Sequence, residues 1–81
     1  MNPTYQVHYF GLLGERRGLP EECVTHPPTT AAGLYEALNA EHRLGLVTAD
    51  FRVAVNDEFV PWDHILKDGD LIALLPPMSG G

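Results

Sequence analysis

The last six residues of the sequence, Pro-Pro-Met-Ser-Gly-Gly at positions 76–81, have the residue types most suited to chemistry. Two successive glycines form a filament that is thin enough to enter a narrow tunnel and that accepts any backbone angle. A carboxylate is a poor electrophile, but joining the Gly81 carboxylate to AMP supplies a phosphate leaving group. A sulfur or amine nucleophile then meets no side chain at Gly81. With Gly81 as the C-terminus, the sequence predicts an activated acyl carrier, and the alternative is a frayed end without a role.

The tail follows an apolar run that predicts a strand covered on both faces, or on one face with the other presented to a partner. Every residue of Leu71–Leu75 is apolar. Proline cannot donate a hydrogen bond to a sheet ladder, so the two prolines end this strand and the chain projects outward. The projecting six residues span at most about 20 Å.

The rest of the chain predicts a small sheet with one helix. Residues 5–10 alternate, which places Tyr5, Val7 and Tyr9 on one face of a strand. Apolar positions at helical spacing predict a helix from residue 31 to about residue 41, capped by a preceding threonine hydroxyl. Residues 11–18 are predicted to form a turn. Further strands are predicted at 22–26, 51–55, 59–60 and 71–75, so the predicted fold class is α+β, with one helix across a small mixed sheet.

Composition excludes several classes of protein. The chain has 81 residues and a mass of 8.9 kDa, with 5 basic and 11 acidic residues and a formal net charge of −6. A nucleic-acid or anionic-membrane surface needs a basic face, which this balance does not supply. No apolar run approaches the roughly 18 residues of a membrane span, and the N-terminus does not resemble a signal peptide. A cytoplasmic location is therefore expected.

The other residues capable of chemistry are predicted to be structural. The four histidines are His8, His26, His42 and His64. They show no metal-ligand spacing, so no metal site is expected. Asp68 and Asp70 are predicted to form a tight turn rather than a calcium loop. The single cysteine, Cys23, excludes an internal disulfide and is expected to pack inertly, with a sulfur relay as the alternative. Trp62 is assigned to the core. For Phe59 two assignments are equally supported, one to the core and one to a surface that contacts a partner.

Several motifs are specific in their residues and spacing. In the C-terminal half they are Ala54-Val55-Asn56, Phe59-Val60, Asp63-His64, Asp68-Gly69-Asp70 and the tail. Near the start they are Val7-His8-Tyr9-Phe10, Leu12-Leu13-Gly14-Glu15 and Gly18. Together they resemble the family of small, sulfur-carrying subunits of molybdopterin synthase over nearly the whole chain. The chain departs from that family at Gly14, where an arginine often precedes the glutamate, and Arg16 or Arg17 is a candidate substitute.

The resemblance implies a fold and a reaction. The fold is a ubiquitin-like β-grasp domain at residues 1–75, followed by an extended tail at residues 76–81. An E1-like activating enzyme would use ATP to adenylate Gly81, and the adenylate would be converted to a thiocarboxylate. The loaded tail would then donate sulfur to cyclic pyranopterin monophosphate to form the dithiolene of molybdopterin.

The same resemblance implies partners and no permanently bound cofactor. A heterotetramer of two small and two large synthase subunits is expected. The residues that would thread into the large subunit are Pro76, Pro77, Met78, Ser79 and Gly80. By position, Phe10, Phe59 and Leu75 resemble the apolar patch through which these carriers contact their partners. Because no general base, nucleophile pair or metal site is visible, the chain is expected to be a sulfur donor with no catalytic activity alone.

Three alternatives stay open at this point. The same tail chemistry serves sulfur carriers of thiamine synthesis, tRNA thiolation and cysteine synthesis, although the chain length and the two prolines argue against the thiamine type. A ubiquitin-like modifier would instead form isopeptide bonds with target lysines. The last alternative is a β-grasp interaction module whose tail has no chemical role.

Overall fold

The computed structural model describes residues 1–77, which form a five-stranded mixed sheet and one main helix. The elements are β1 (Thr4–Tyr9), α1 (Leu12–Arg17), β2 (Glu21–Thr25), α2 (Ala31–His42), a 3-10 turn (Thr48–Asp50), β3 (Arg52–Val55), β4 (Glu58–Val60) and β5 (Leu71–Leu75). The strand order is β2-β1-β5-β3-β4. The pair β1 and β5 is parallel, and the other neighbours are antiparallel. The α+β prediction is confirmed.

Strand β5 lies in the middle of the sheet, as its continuous apolar run predicted. On one side Tyr9 pairs with Leu74, and on the other Arg52 pairs with Leu75. The Phe10 amide donates a hydrogen bond to the Leu74 carbonyl (3.2 Å), so the ladder continues to the end of β5. The end of β5, from which the tail starts, is therefore held from both sides by neighbouring segments.

One face of the sheet packs against α2 and forms the core. Tyr5, Val7 and Tyr9 are all buried, which confirms the predicted alternation. Helix α2 contributes Ala31, Leu34, Tyr35 and Leu38 to the same cluster. The helix begins where the Thr30 hydroxyl accepts a hydrogen bond from the Gly33 amide (3.1 Å), so the predicted threonine cap is present.

The segment predicted to be a turn at residues 11–18 instead contains the six-residue helix α1. Its glycines favour a turn when the local sequence is considered alone, but Leu13 is fully buried against the sheet and anchors the segment. Two arginines in its last turn and an αL C-cap at Gly18 (φ 86°) suit a helix end. The turn prediction was wrong because tertiary packing of Leu13 outweighs local glycine content.

A cluster of three buried or partly buried polar side chains, Tyr9, Arg17 and Glu22, joins β1, α1 and β2. Arg17 donates two hydrogen bonds of 2.8 Å to the two carboxylate oxygens of Glu22, and the Tyr9 hydroxyl donates a third of 2.6 Å. The Arg17 guanidinium holds the pKa of Glu22 below its usual range, chiefly through this hydrogen bonding. Burial and the Glu22 carboxylate raise the pKa of Tyr9. This cluster fixes α1 and β2 to β1.

Glu22→Gln is expected to lower the free energy of unfolding by about 1–2 kcal/mol at pH 7, because the amide loses the charged pairing with Arg17. Folding lowers the pKa of Glu22, so its stabilisation is fully present above the ordinary value of 4.5. That stabilisation is lost as the pH falls through the folded value. The difference between wild type and variant in urea unfolding is therefore expected to shrink below pH 4.5.

Glu36→Gln is the matched control, since Glu36 is exposed on α2. It is expected to change the free energy of unfolding by less than about 0.5 kcal/mol. Equal effects of the two variants at pH 7 would contradict the assigned role of Glu22.

Candidate functional site

The face of the sheet opposite α2 carries Leu75, the last residue of β5. We call Leu75 and the following Pro76 the root of the tail. Paired residues in neighbouring strands point to the same face, and the registers Arg52–Leu75, Ala54–Phe59 and Ala54–Ala73 therefore align these side chains. His8 pairs with Ala73 on the same face. We call this surface the open face, and its residues are His8, Arg52, Ala54, Phe59, Ala73 and Leu75.

An apolar groove of ≈ 820 Å³ lies where the open face meets the start of the tail. Its lining residues are Phe10, Gly11, Leu12, Glu15, Leu46, Phe59, Leu75, Pro76 and Pro77. Phe10 is 46% exposed and Phe59 is 58% exposed, although both are large apolar side chains. The structure thus brings together the three residues predicted to contact partners, Phe10, Phe59 and Leu75. Their role in binding stays a prediction.

One residue at the edge of the groove was missed in the sequence, as were four of its lining residues, Gly11, Leu12, Glu15 and Leu46. Leu12 belongs to α1 and is 40% exposed, and Leu46 reaches the groove from the loop after α2. At the edge of the groove, the Arg52 guanidinium carbon lies 3.9 Å from the centre of the Phe59 ring. The strand register brings Arg52 and Phe59 together, and a local sequence pattern does not show that register. The aromatic character of Phe59 was the one available signal.

The start of the tail fits closely against the segment after β1. Gly11 has φ 53° and ψ −128°, a conformation that suits glycine. A Cβ atom at Gly11 would lie 3.3 Å from Pro76 Cγ, so this glycine also gives room to the first proline. Pro76 is half-buried and Pro77 is exposed. The predicted tail residues Met78, Ser79, Gly80 and Gly81 lie outside the described residues.

Close packing explains why this chain has Gly14 at the position where the family often has an arginine. A Cβ atom at Gly14 would lie 2.9 Å from the Tyr9 carbonyl oxygen, so a larger residue requires the backbone to shift. Neither neighbouring arginine replaces a side chain there. Arg16 donates a hydrogen bond to the Leu44 carbonyl (2.7 Å), and Arg17 is bound to Glu22.

The prediction that Cys23 packs inertly was wrong, because Cys23 is exposed. It lies on β2, which forms one edge of the sheet, and its thiol donates to the Gln6 side-chain oxygen (3.1 Å). Trp62 is half-buried rather than fully buried and packs against the core, with its ring centre 5.0 Å from that of Phe51. The exposure of Phe59 decides its assignment in favour of the surface.

Asp68 and Asp70 form the predicted turn. An Asp68 oxygen accepts from the Thr4 amide and an Asp70 oxygen accepts from the Lys67 amide, each at 2.8 Å. Within residues 1–77, no three His, Cys, Asp or Glu side chains are grouped so that they could hold a metal ion. Across the same residues, the structure has no helix with the length and apolar character needed to cross a membrane.

Solved structures with this architecture cover nearly the whole chain. A Pyrococcus furiosus protein provisionally named molybdopterin converting factor, subunit 1, is 30% identical with a TM-score of 0.82, covering 94% of this chain and 99% of that one. SAMP1 from Haloferax volcanii is 25% identical with a TM-score of 0.81, covering 96% and 99%. A chain in the complex of subunits 1 and 2 of molybdopterin-converting factor from Helicobacter pylori is 26% identical with a TM-score of 0.67, covering 96% and 99%.

The sheet order, the single long helix and these similarities define the class as a ubiquitin-like β-grasp protein. A model of the ThiS family matches residues 7–81, and the chain belongs to that family. Among curated proteins, the chain is similar to the molybdopterin synthase sulfur carrier subunit of Escherichia coli (strain K12). The two are 45% identical over 38 residues, which are 47% of each chain. The matched stretch thus spans about half the length of that relative.

Phe59→Ala is expected to lower the free energy of unfolding by about 1 kcal/mol or less, because the side chain is 58% exposed. Phe51→Ala is the matched comparison: Phe51 is 6% exposed and packs in the core, so its truncation is expected to cost about 3–5 kcal/mol. Urea unfolding of both variants measures the difference. A decrease in the free energy of unfolding for Phe59→Ala as large as that for Phe51→Ala would show that Phe59 belongs to the core.

Proposed function

We propose that this chain is the sulfur-carrier subunit of molybdopterin synthase, with Gly81 as the residue that carries sulfur. The observation that supports this most is the placement of the tail root. The tail starts from the central strand, at the edge of an exposed apolar groove. A partner that covers the groove thereby receives the following residues at a fixed starting point. The names of the Escherichia coli and Helicobacter pylori relatives favour molybdopterin synthesis as the pathway.

The proposed chemistry occurs at the Gly81 carboxylate. An E1-like activating enzyme supplies ATP, the carboxylate oxygen attacks the α-phosphorus, and pyrophosphate leaves. A sulfur nucleophile then attacks the acyl carbon and AMP leaves, which gives the thiocarboxylate. The thiocarboxylate sulfur forms a bond to cyclic pyranopterin monophosphate, and water then hydrolyses the acyl–sulfur bond, so the sulfur stays on the pterin and Gly81 returns to a carboxylate. ATP is thus consumed on the activating enzyme, and the carrier needs no cofactor of its own.

The proposed acceptor site belongs to the large synthase subunit. The groove around Phe10, Phe59 and Leu75 would contact that subunit, while residues 76–80 thread into it toward the pterin. Two small and two large subunits complete the proposed heterotetramer. An exposed Cys23 and a thiocarboxylate both suit a reducing compartment, so a cytoplasmic location is part of the proposal.

A protein-modifier function is the second candidate. It is favoured by the similarity to SAMP1 of Haloferax volcanii, whose name stands for small archaeal modifier protein 1. Both functions begin with the same adenylate, but they differ in the nucleophile that attacks it. A carrier accepts sulfur, whereas a modifier forms an amide with a lysine of another protein.

Incubation with ATP, a sulfide source and the cognate activating enzyme is expected to raise the mass of the intact chain by about 16 Da, as one oxygen is exchanged for sulfur. Deletion of Gly81 is expected to abolish this mass gain while leaving the far-ultraviolet circular dichroism and the melting temperature unchanged. Intact-protein mass spectrometry measures the exchange. The deletion removes the reacting residue and leaves residues 1–77, which form the sheet and helices, unchanged in sequence.

Two outcomes would contradict the carrier assignment. Higher-mass conjugates with other proteins in place of the 16 Da product would favour the modifier. Full sulfur transfer by a chain extended beyond Gly81, with no trimming of the extension, would show that the terminal carboxylate is not the reacting group.

Phe59→Asp is expected to weaken binding of the large synthase subunit at least tenfold, because it places a charge in the apolar groove. Ile65→Asp is the matched control: Ile65 is 70% exposed and lies outside the groove. Its effect on the dissociation constant is expected to stay below twofold in isothermal titration calorimetry. Equal weakening by both variants would remove the groove from the proposed interface.

A further inference from the structure

We propose that Arg52 recognises a carboxylate on the docking surface of the large synthase subunit. This pairing makes Arg52 a residue that determines which partner binds beside the start of the tail. The inference rests on the proposed function, in which a protein partner covers the groove. It adds a specificity-determining residue and the chemistry of the group opposite it.

Arg52 has a distinctive position in a strongly acidic chain. Within residues 1–77, it is the one lysine or arginine on the open face, where it pairs in register with Leu75, the last residue of β5. The two arginines of α1 are engaged elsewhere, Arg16 with the Leu44 carbonyl and Arg17 with Glu22. The positive charge nearest to the start of the tail in the paired strands is therefore that of Arg52.

Arg52 has no salt-bridge partner among the side chains of residues 1–77. Within residues 1–77, the close contacts between basic and acidic side chains join His8 with Glu21, Arg17 with Glu22, and His42 with Glu41. Arg52 instead lies over the Phe59 ring at 3.9 Å, a cation–π contact. This contact restrains the guanidinium without using its five N–H donors, so the donors remain available at the edge of the groove.

Docking changes the environment of this guanidinium. A partner that covers Phe59 also removes water from the cation lying over it. A desolvated charge without a counter-charge is strongly unfavourable, and truncating one member of a buried charge pair costs several kcal/mol for the same reason. A carboxylate matches the planar guanidinium with two parallel hydrogen bonds. A partner that fits this groove therefore presents an Asp or Glu opposite Arg52.

The charge pattern around Arg52 makes this pairing selective. Asp57 and Glu58 follow β3 closely, and both are exposed. Together with the net charge of −6, they favour a partner surface that is mostly basic. A surface that is basic throughout would repel Arg52, and one that is apolar throughout would leave it unpaired. An acidic residue set within a basic rim satisfies both requirements, so partners that merely have an apolar protrusion are discriminated against.

The test measures binding of the purified large molybdopterin synthase subunit from the same organism by isothermal titration calorimetry. Arg52→Gln removes the charge, Arg52→Lys keeps it without the planar fork, and Arg43→Gln removes an exposed arginine at the end of α2. Arg52→Gln is expected to weaken binding at least tenfold, Arg52→Lys by an intermediate factor, and Arg43→Gln by less than twofold. Melting temperatures within about 3 °C of wild type establish that each variant is folded.

A double-mutant cycle identifies the carboxylate. Each Asp and Glu on the docking surface of the large subunit is changed to its amide and measured against wild type and Arg52→Gln. One amide variant is expected to weaken wild-type binding tenfold and to leave the binding of Arg52→Gln unchanged, because the pair is already broken. If no acidic position couples with Arg52, the inference is overturned, even where Arg52→Gln alone weakens binding.

The outcomes separate this inference from the proposed function. If the wild-type chain does not bind the large subunit, both are refuted. If the wild type and Arg52→Gln bind equally well and both acquire the 16 Da mass gain, the proposed function stands and the role of Arg52 is refuted.

Discussion

The pairing of β5 on both of its edges is the constraint on which the rest of the molecule depends. Parallel hydrogen bonds to β1 and antiparallel ones to β3 hold Leu71–Leu75 in the middle of the sheet. Two prolines then follow, and they cannot continue either ladder. The chain consequently leaves the sheet at one defined place, between two neighbouring strands. A terminal strand at the edge of the sheet would give the tail a root supported from one side only.

The two faces of the sheet differ in how far their side chains are buried. The face toward α2 holds the core, including the fully buried Tyr5 and Val7. The open face leaves Phe59 more than half exposed and places it beside the tail root. A small domain has too little apolar area to enclose a deep site of its own and also to stay folded. The core therefore maintains the sheet, while the large side chain of Phe59 on the open face stays accessible to solvent.

Much of this arrangement could be predicted from the sequence, because several signals are local. The apolar run of β5 gave its central position, alternation gave the buried face of β1, and the Thr30 hydroxyl marked the start of α2. Helix α1 could not be predicted, since its glycines indicate a turn and only contact with the sheet buries Leu13. Cys23 was misplaced because local sequence does not reveal that β2 is an edge strand.

The candidate site was predicted less completely than the fold, for a related physical reason. Phe10, Phe59 and Leu75 were selected by their resemblance to a family, and the structure brings them to one groove. Arg52 was missed because its significance depends on the register between β3 and β4, which places it over Phe59. Residues far apart in sequence acquire a joint role only when strand pairing fixes their separation.

In the proposed function the carrier must leave its activating enzyme before it reaches the synthase. A single groove and a single tail then serve two partners in succession, so neither complex can be so tight that the carrier fails to dissociate. Apolar contact alone offers little discrimination against other proteins that have an apolar protrusion able to cover the same side chains. A charged group at the edge of the groove adds discrimination at little cost to the free protein, because Arg52 remains exposed to water until a partner covers it. In this proposal the tail chemistry and the choice of partner depend on different residues: the chemistry depends on the terminal glycine, and the choice of partner depends on the strands that precede the tail.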